Sequence, residues 1–207
     1  MDTPTTNERL GLRERKKQAR AQALQLAALR LVNERGLDTV TVEDIAAAAN
    51  VSPRTFFNYY GSKEDALVGN MPDGADRFAA ALLKRPAGEP MLDAVRAVFI
   101  ANANEIAEHS ELYQLRMNVV ARHRELYPRM VGSFGEWERV MADAIAQRSG
   151  TDQATDIYPG LLAAVIAGIM RTSMRRWRAT DFQTPLDTIF GEAFNLVRAG
   201  LKEPNSC

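Results

Sequence analysis

An all-α fold is what this 207-residue chain predicts, on three observations. Apolar residues recur at three- and four-residue steps in segment after segment, the spacing that gathers them on one face of a helix. No segment shows convincing alternation with a period of two, so strands are not expected. Start and stop signals, such as Gly36 and the pair Ser52-Pro53, cut these segments to ordinary helical lengths.

Residues 1–12 are polar, contain Pro4 and Gly11, and are expected to be a mobile arm. The first helix is expected from Arg13 to about Arg35, with Leu24, Ala27 or Ala28, Leu31 and Val32 on its inner face. Gly36 supplies a left-handed C-cap, and Leu37 is the apolar residue that closes such a cap. Thr41 reads as the N-cap of a second helix whose first turn holds Glu43 and Asp44, where acidic groups favour the helix dipole. Ile45, Ala46 and Ala49 face inward, Asn50 suits a left-handed turn, and Val51 plugs that turn from inside. Ser52-Pro53 starts a third helix over Arg54 to Tyr60, with a capping hydroxyl followed by proline at the first helical position. Phe56 and Tyr60, four apart, share its buried face, while Arg54, Thr55, Asn58 and Tyr59 fall elsewhere and Phe57 cannot be buried along with Phe56. Gly61 ends this helix, and Ser62 caps the next one from Lys63.

Met71-Pro72-Asp73-Gly74 interrupts that fourth helix, which resumes through Phe78, Leu82 and Leu83 to the loop Arg85 to Pro90. Met91 to Glu108 is expected to be amphipathic, with Leu92, Val95, Val98 or Phe99, and Ile106 inward. Ser110 caps a helix carrying Leu112, Leu115, Met117, Val119 and Val120 that ends near Pro128. Met130 to Arg148 follows, with Phe134, Trp137, Met141 and Ile145 on one stripe and a stop at Gly150. Ile157 to Trp177 is apolar on most sides through Gly160 to Met170, which suggests a core position shared with a subunit interface. Thr184-Pro185 starts the last helix, striped with Ile189, Phe190, Phe194 and Val197.

Composition narrows the function. Twenty-six basic and 26 acidic residues cancel, yet Arg9, Arg13, Arg15, Lys16, Lys17 and Arg20 crowd the N-terminus with only Glu14 among them. The only cysteine, Cys207, makes an intramolecular disulfide impossible and fits a reducing compartment. The N-terminus lacks an apolar h-region, and Gly160 to Met170 is short of the ~20 residues that a membrane span needs. A cytoplasmic protein with no membrane association is expected. His109 and His123 are the only histidines, and there is no HExxH motif, cysteine pair, phosphate loop or GxSxG elbow. No catalytic residue, metal site or cofactor is therefore expected, and the chain is not read as an enzyme.

Residues Thr41 to Lys63 form a short helix, a tight turn and a second short helix that exposes arginine, threonine, asparagine and an aromatic ring. That arrangement is the grammar of a helix-turn-helix entering a DNA major groove. Arg54 suits guanine and Asn58 suits adenine, because each can offer paired hydrogen bonds to those base edges. The order GLDTVTVEDIAAAANVS, TFFNYY, SKEDAL between about Leu24 and Leu67 resembles the DNA-binding domain of the TetR family of transcriptional regulators. The resemblance implies DNA contacts from Thr41 at the motif's first cap, Arg54 and Thr55 at the recognition-helix start, and Tyr59 and Lys63 at phosphates. Arg15, Lys16, Lys17 and Ser52 complete the DNA-facing set, together with Phe57 and Asn58. Phe57 stands where the family commonly has tyrosine and offers only apolar contact, and Tyr60, where phenylalanine is usual, needs a partner for its hydroxyl.

The remainder is similar to the family's helical regulatory bodies, in which the last two helices of each subunit commonly build a dimer's four-helix bundle. RMNVVARHREL, WERVMADAIAQRSG and PLDTIFGEAFNLVRAGL resemble the branch typified by the mycofactocin-system regulator, which is associated with acyl-CoA-type ligands. The expected layout is residues 1–66 as arm and helix-turn-helix domain and residues 67–207 as ligand-binding and dimerisation domain. Phe99, Leu115, Asn118, Trp137, Met141, Met170 and Met174 are the candidate ligand contacts, although for any single apolar one plain core packing is the simpler account. Asn102 and Asn104 could orient a polar ligand group or lie exposed. Leu161, Val165, Ile169, Ile189, Phe190 and Phe194 are the candidate dimer contacts. Arg171, Arg175, Arg176 and Arg178 either meet a CoA phosphate or favour the C-terminus of their helix. The implied function is a homodimeric, ligand-responsive repressor on a palindromic double-stranded operator, released by an apolar or acyl-CoA-like effector. The competing reading is a helical lipid-binding protein or enzyme with a vestigial DNA domain.

Overall fold

Side-chain caps and left-handed residues set the boundaries of the short N-terminal helices. The computed structural model describes residues 6–69 and 74–203, and for residues 6–15, Gly74 and Glu105 the backbone alone. Cys207, the side chains of Arg9, Arg13 and Arg15, and Met71-Pro72-Asp73 lie outside this description. The described residues form α-helices and one 3₁₀ turn, and no strand.

Helix α1 (Thr6–Arg35) starts ahead of the expected Arg13, because Glu8, Arg9 and Leu10 are good helix formers and a single glycine costs only about 1 kcal/mol. It stops at Gly36, whose φ of 85° only glycine adopts without strain. Thr41 caps α2 (Val42–Ala48) through a reciprocal box: its hydroxyl accepts from the Asp44 N–H at 3.1 Å, and Asp44 Oδ2 accepts from the Thr41 N–H at 2.9 Å. The Thr41 side-chain and backbone bonds, with help from Arg35, hold the Asp44 carboxyl below the usual aspartate range. A depressed folded pKa means stabilisation that is present at neutral pH and lost as pH falls through that lower value. Thr41→Val should therefore lower the melting temperature near pH 7, and the gap from the parent should narrow in acid; thermal melts across pH check both.

Asn50 takes the left-handed turn at φ 54°, and Ser52 then caps α3 (Pro53–Phe57), accepting from the Thr55 N–H at 3.1 Å. Helix α3 is shorter than the expected Arg54 to Tyr60: Asn58 is its C-cap, and Tyr59 and Tyr60 lie beyond it. Ser62 caps α4 (Lys63–Val68), which ends at Gly69 with φ 77°. Helices α5 (Gly74–Leu83) and α6 (Met91–Glu108) follow.

Ser110 is the first residue of α7 (Ser110–Arg122), not its cap, and α7 stops well before Pro128. After a 3₁₀ turn at Arg124–Leu126, Pro128 lies in the first turn of α8 (Tyr127–Ser149), where its missing N–H costs nothing. Helices α9 (Tyr158–Ala179) and α10 (Leu186–Arg198) complete the chain.

Two compact units result, neither continuous in sequence. One comprises the described residues of Met1–Pro72 and Glu111–Met130, the other those of Asp73–Ser110 and Val131–Cys207. In the first, Leu24, Leu29 and Val32 of α1, Ile45, Phe56, Tyr60 and Leu67 enclose one core with Val119 and Val120 of α7. A cut after residue 66 thus leaves out Glu111–Met130, which packs with the N-terminal helices. Polar ties repeat that grouping: Arg30 pairs with Glu111 at 2.7 Å, Arg122 donates to Asn33 at 2.9 Å, and Arg129 pairs with Asp65 at 2.8 Å.

In the second unit α10 packs on both α6 and α9. Phe99 of α6 is the hub of an aromatic cluster, with ring centroids at 5.1 Å from Phe190, 5.4 Å from Phe194, 5.6 Å from Phe78 and 6.4 Å from Trp137. Arg148 pins the loop before α6 by donating to the carbonyls of Arg85, Pro86 and Glu89 at 2.9, 2.6 and 3.1 Å.

Candidate DNA-reading surface and regulatory body

Two buried aromatics decide what α3 and the turn after it present to solvent. Phe56 and Tyr60 have no exposed surface, and the Tyr60 hydroxyl, which needed a partner, donates to the Ala21 carbonyl of α1 at 3.0 Å. With that face fixed inward, Arg54, Phe57 and Asn58 are exposed. Phe57 is 55% exposed and meets Phe56 edge-on at 5.5 Å, so its ring is held out by a core residue. A large apolar side chain in that position, between an arginine and an asparagine, suits a sugar or thymine methyl contact.

The other candidate DNA contacts are more committed to the protein itself. Thr55 is half-buried, and its hydroxyl lies 2.9 Å from Ser52 Oγ. Thr41 is exposed but donates its hydroxyl to Asp44 at 2.7 Å. Tyr59 is half-buried against the first core. Lys63 is half-buried and donates to the carbonyls of Leu37 and Val40 at 2.7 and 2.9 Å, which leaves one of its three N–H groups. Lysine in this role closes the loop between α1 and α2, a function that no local spacing in the sequence signals. Lys16 is exposed and Lys17 half-buried.

Candidate effector contacts divide between the units. Phe99, Met141 and Met174 are buried in the second unit, and Trp137 and Met170 are half-buried there. Leu115 packs against the first core, and Asn118 on the same helix is exposed. Asn104 is exposed, while Asn102 is half-buried and donates to its own helix at the Val98 carbonyl, 2.7 Å away. Among the described residues, Arg96 Nε and Ser173 Oγ of the second unit are buried without a hydrogen-bond partner. Sequence reasoning missed both, and their only signal was a polar residue inside an apolar stripe. Arg171 pairs with Glu138 at 3.1 Å, and Arg175, Arg176 and Arg178 are exposed.

The candidate dimer contacts need correction. Phe190, Phe194, Ile169 and Ile189 are buried within the protomer, the first two by packing on Phe99. A side chain with no accessible surface has none to bury against a partner. The apolar side chains that the N-terminal half of α9 leaves uncovered include Tyr158, Leu161 at 57% exposure and Ala164, with Ile157 just before the helix at 80% and Val165 half-buried.

Residues 26–68, spanning this surface, match the family described as bacterial regulatory proteins, tetR family. Residues 89–202 match the MftR C-terminal domain. The chain belongs to the TetR family. It is 33% identical over 211 residues to the HTH-type transcriptional regulator TcmR of Streptomyces glaucescens, covering 97% of this chain and 93% of the relative. It is 29% identical over 178 residues to MftR of Mycobacterium tuberculosis, named for transcriptional regulation of mycofactocin biosynthesis, covering 86% of this chain and 89% of that one. Thermus thermophilus FadR, a TetR-family repressor solved with lauroyl-CoA, shares the fold with a TM-score of 0.52 and 22% identity, over 90% of this chain and 98% of that one. As a TetR-family member, this chain is a DNA-binding transcriptional regulator, and the families that match it include no enzyme. No described helix is long and apolar enough to cross a membrane, and the described residues contain no cluster of three or more metal-ligating side chains.

Proposed function

We propose that this TetR-family regulator is a cytoplasmic homodimeric repressor that reads a palindromic operator and releases it when an apolar or acyl-CoA-like effector binds. The observation that carries the reading is the outward set of Arg54, Phe57 and Asn58, fixed by the burial of Phe56 and Tyr60 on the opposite side. Two such heads about 34–36 Å apart would occupy successive major grooves. The first compact unit is the reading head and the second is the sensor and dimer body.

For dimerisation, α9 offers exposed Leu161 and Ala164, with Ile157 just before the helix, and α10 adds exposed Leu196. Exposed apolar side chains on adjacent helices favour a protein partner over water. Leu161→Glu should leave the protomer within ~0.5 kcal/mol of its parent stability and convert dimer to monomer in sedimentation velocity. Dimers that persist at low micromolar concentration would remove Leu161 from the interface.

For the effector, Arg96 Nε and Ser173 Oγ of the second unit are buried and have no hydrogen-bond partner among the described residues, and a ligand carrying acceptor groups on an apolar body would satisfy them. An effector acts only through its differential affinity for the DNA-competent and released states. Adding lauroyl-CoA to the protein–operator complex should therefore lower the bound fraction saturably. A complex that stays intact at saturating acyl-CoA would reject that effector class.

A further inference from the structure

We propose that Gln25, Gly69 and Arg116 form a binding site for a small oxyanion, a carboxylate or phosphate group, inside the unit that carries the helix-turn-helix. Gln25 of α1 is only 5% exposed, and its Nε2 has no hydrogen-bond partner among the described residues. Arg116 of α7 has its Nε closed off from solvent, also without a hydrogen-bond partner among the described residues. Both side chains end at the same place: a Cβ added at Gly69 would lie 2.5 Å from Arg116 Nη1 and 2.7 Å from Gln25 Nε2. Gly69 sits there bare, in the left-handed conformation that ends α4. Two donor-bearing side chains, one of them a permanent cation, thus meet beside Gly69, and neither Gln25 Nε2 nor Arg116 Nε has a hydrogen-bond partner among the described residues.

The neighbours sharpen the contrast. Arg30, Arg122 and Arg129 in the same unit each have an oxygen acceptor, in Glu111, Asn33 and Asp65. Arg116 instead has the face of the Tyr113 ring, 4.9 Å from its central carbon. A ring face attracts the cation but leaves the in-plane N–H groups unused. An oxyanion accepts from a guanidinium and an amide N–H together and neutralises the charge as well, which a water or a neutral carbonyl does not. Gln25 lies one turn beyond Ala21, whose carbonyl anchors Tyr60, so an occupant would sit beside the tie that positions α3. All three residues belong to the unit that carries the helix-turn-helix, and the proposal stands whether or not the proposed effector binds.

The test uses the full chain, titrated with sodium phosphate or sodium acetate at constant ionic strength set by sodium chloride. The readouts are the Arg116 Nε–H resonance and the melting temperature. Saturable movement of both with phosphate identifies a phosphate-type site, and with acetate a carboxylate-type site. Arg116→Met should abolish the response and Gln25→Met should weaken it at least tenfold. Should Arg116→Met fail to fold, the resonance in the parent chain and the Gln25→Met titration still decide. No saturable movement with either anion, or a response unchanged in Gln25→Met, would overturn the proposal. So would a scalar coupling, in anion-free protein, from Arg116 Nε–H to the Gln25 amide carbonyl, because the amide oxygen would then already be the acceptor.

Discussion

Phe99→Ala should lower the unfolding free energy by about 3–5 kcal/mol, the range for truncating a buried phenylalanine. The upper part of that range is expected because Phe99 is 1% exposed and meets rings from three other helices: Phe78 on α5, Trp137 on α8, and Phe190 and Phe194 on α10. Edge-to-face pairs of this kind add ~0.5–1.5 kcal/mol beyond their buried area, so several are lost at once. Phe99→Leu should cost clearly less, since it keeps most of the volume and loses chiefly the ring geometry. Guanidinium denaturation followed by tryptophan fluorescence reads both, with Trp137 as a probe inside the cluster. A loss under about 1 kcal/mol for Phe99→Ala would mean that the ring borders an open cavity and is an effector contact rather than a packing hub.

Arg54→Ala should weaken operator binding with little effect on stability. One good base contact is worth ~1–3 kcal/mol. A homodimer on a palindrome loses two, which gives about 2–6 kcal/mol in total. Arg54 is exposed and makes no hydrogen bond or ion pair to another described residue, so the melting temperature should barely move. Arg54→Lys should recover only part of the loss, because an ammonium keeps the charge but not the planar fork that pairs with guanine. Lys63→Met is the useful contrast. Its Nζ holds the carbonyls of Leu37 and Val40, so this substitution should reduce stability and DNA binding together. Fluorescence anisotropy on a labelled operator, run beside thermal melts, separates the two kinds of loss.

Most of the helix-turn-helix was legible because its determinants are local. Thr41, Ser52 and Ser62 as caps, Gly36 and Asn50 as left-handed residues, and Phe56 with Tyr60 as the buried pair all follow from spacings of four residues or fewer, and each stands as expected. The long-range ties were invisible for the same reason. The amine of Lys63 and the hydroxyl of Tyr60 find partners 26, 23 and 39 residues away, and nothing in the residues around either position names those partners. Helix α7 shows the limit most clearly: its apolar stripe read as a body helix, but Val119 and Val120 face the N-terminal core. A stripe tells which side of a helix is buried and not what buries it. Phe190 and Phe194 illustrate the same ambiguity, since an apolar face fits a protomer core as well as a subunit interface, and here the Phe99 ring occupies it. Pro128 opens α8 rather than closing α7, because proline stops one helix and opens another with equal ease.

Competition binding tests the central claim most directly. A labelled duplex from the region flanking this chain's own gene is challenged with itself and with a shuffled duplex of equal length and composition, at fixed salt so that phosphate attraction is common to both. Tight binding is predicted for the parent chain, displaced by the specific duplex at concentrations at least about a thousandfold below those of the shuffled one, with that preference lost in Arg54→Ala. Equal displacement by the two duplexes, from a protein shown to be folded and dimeric, would contradict the account.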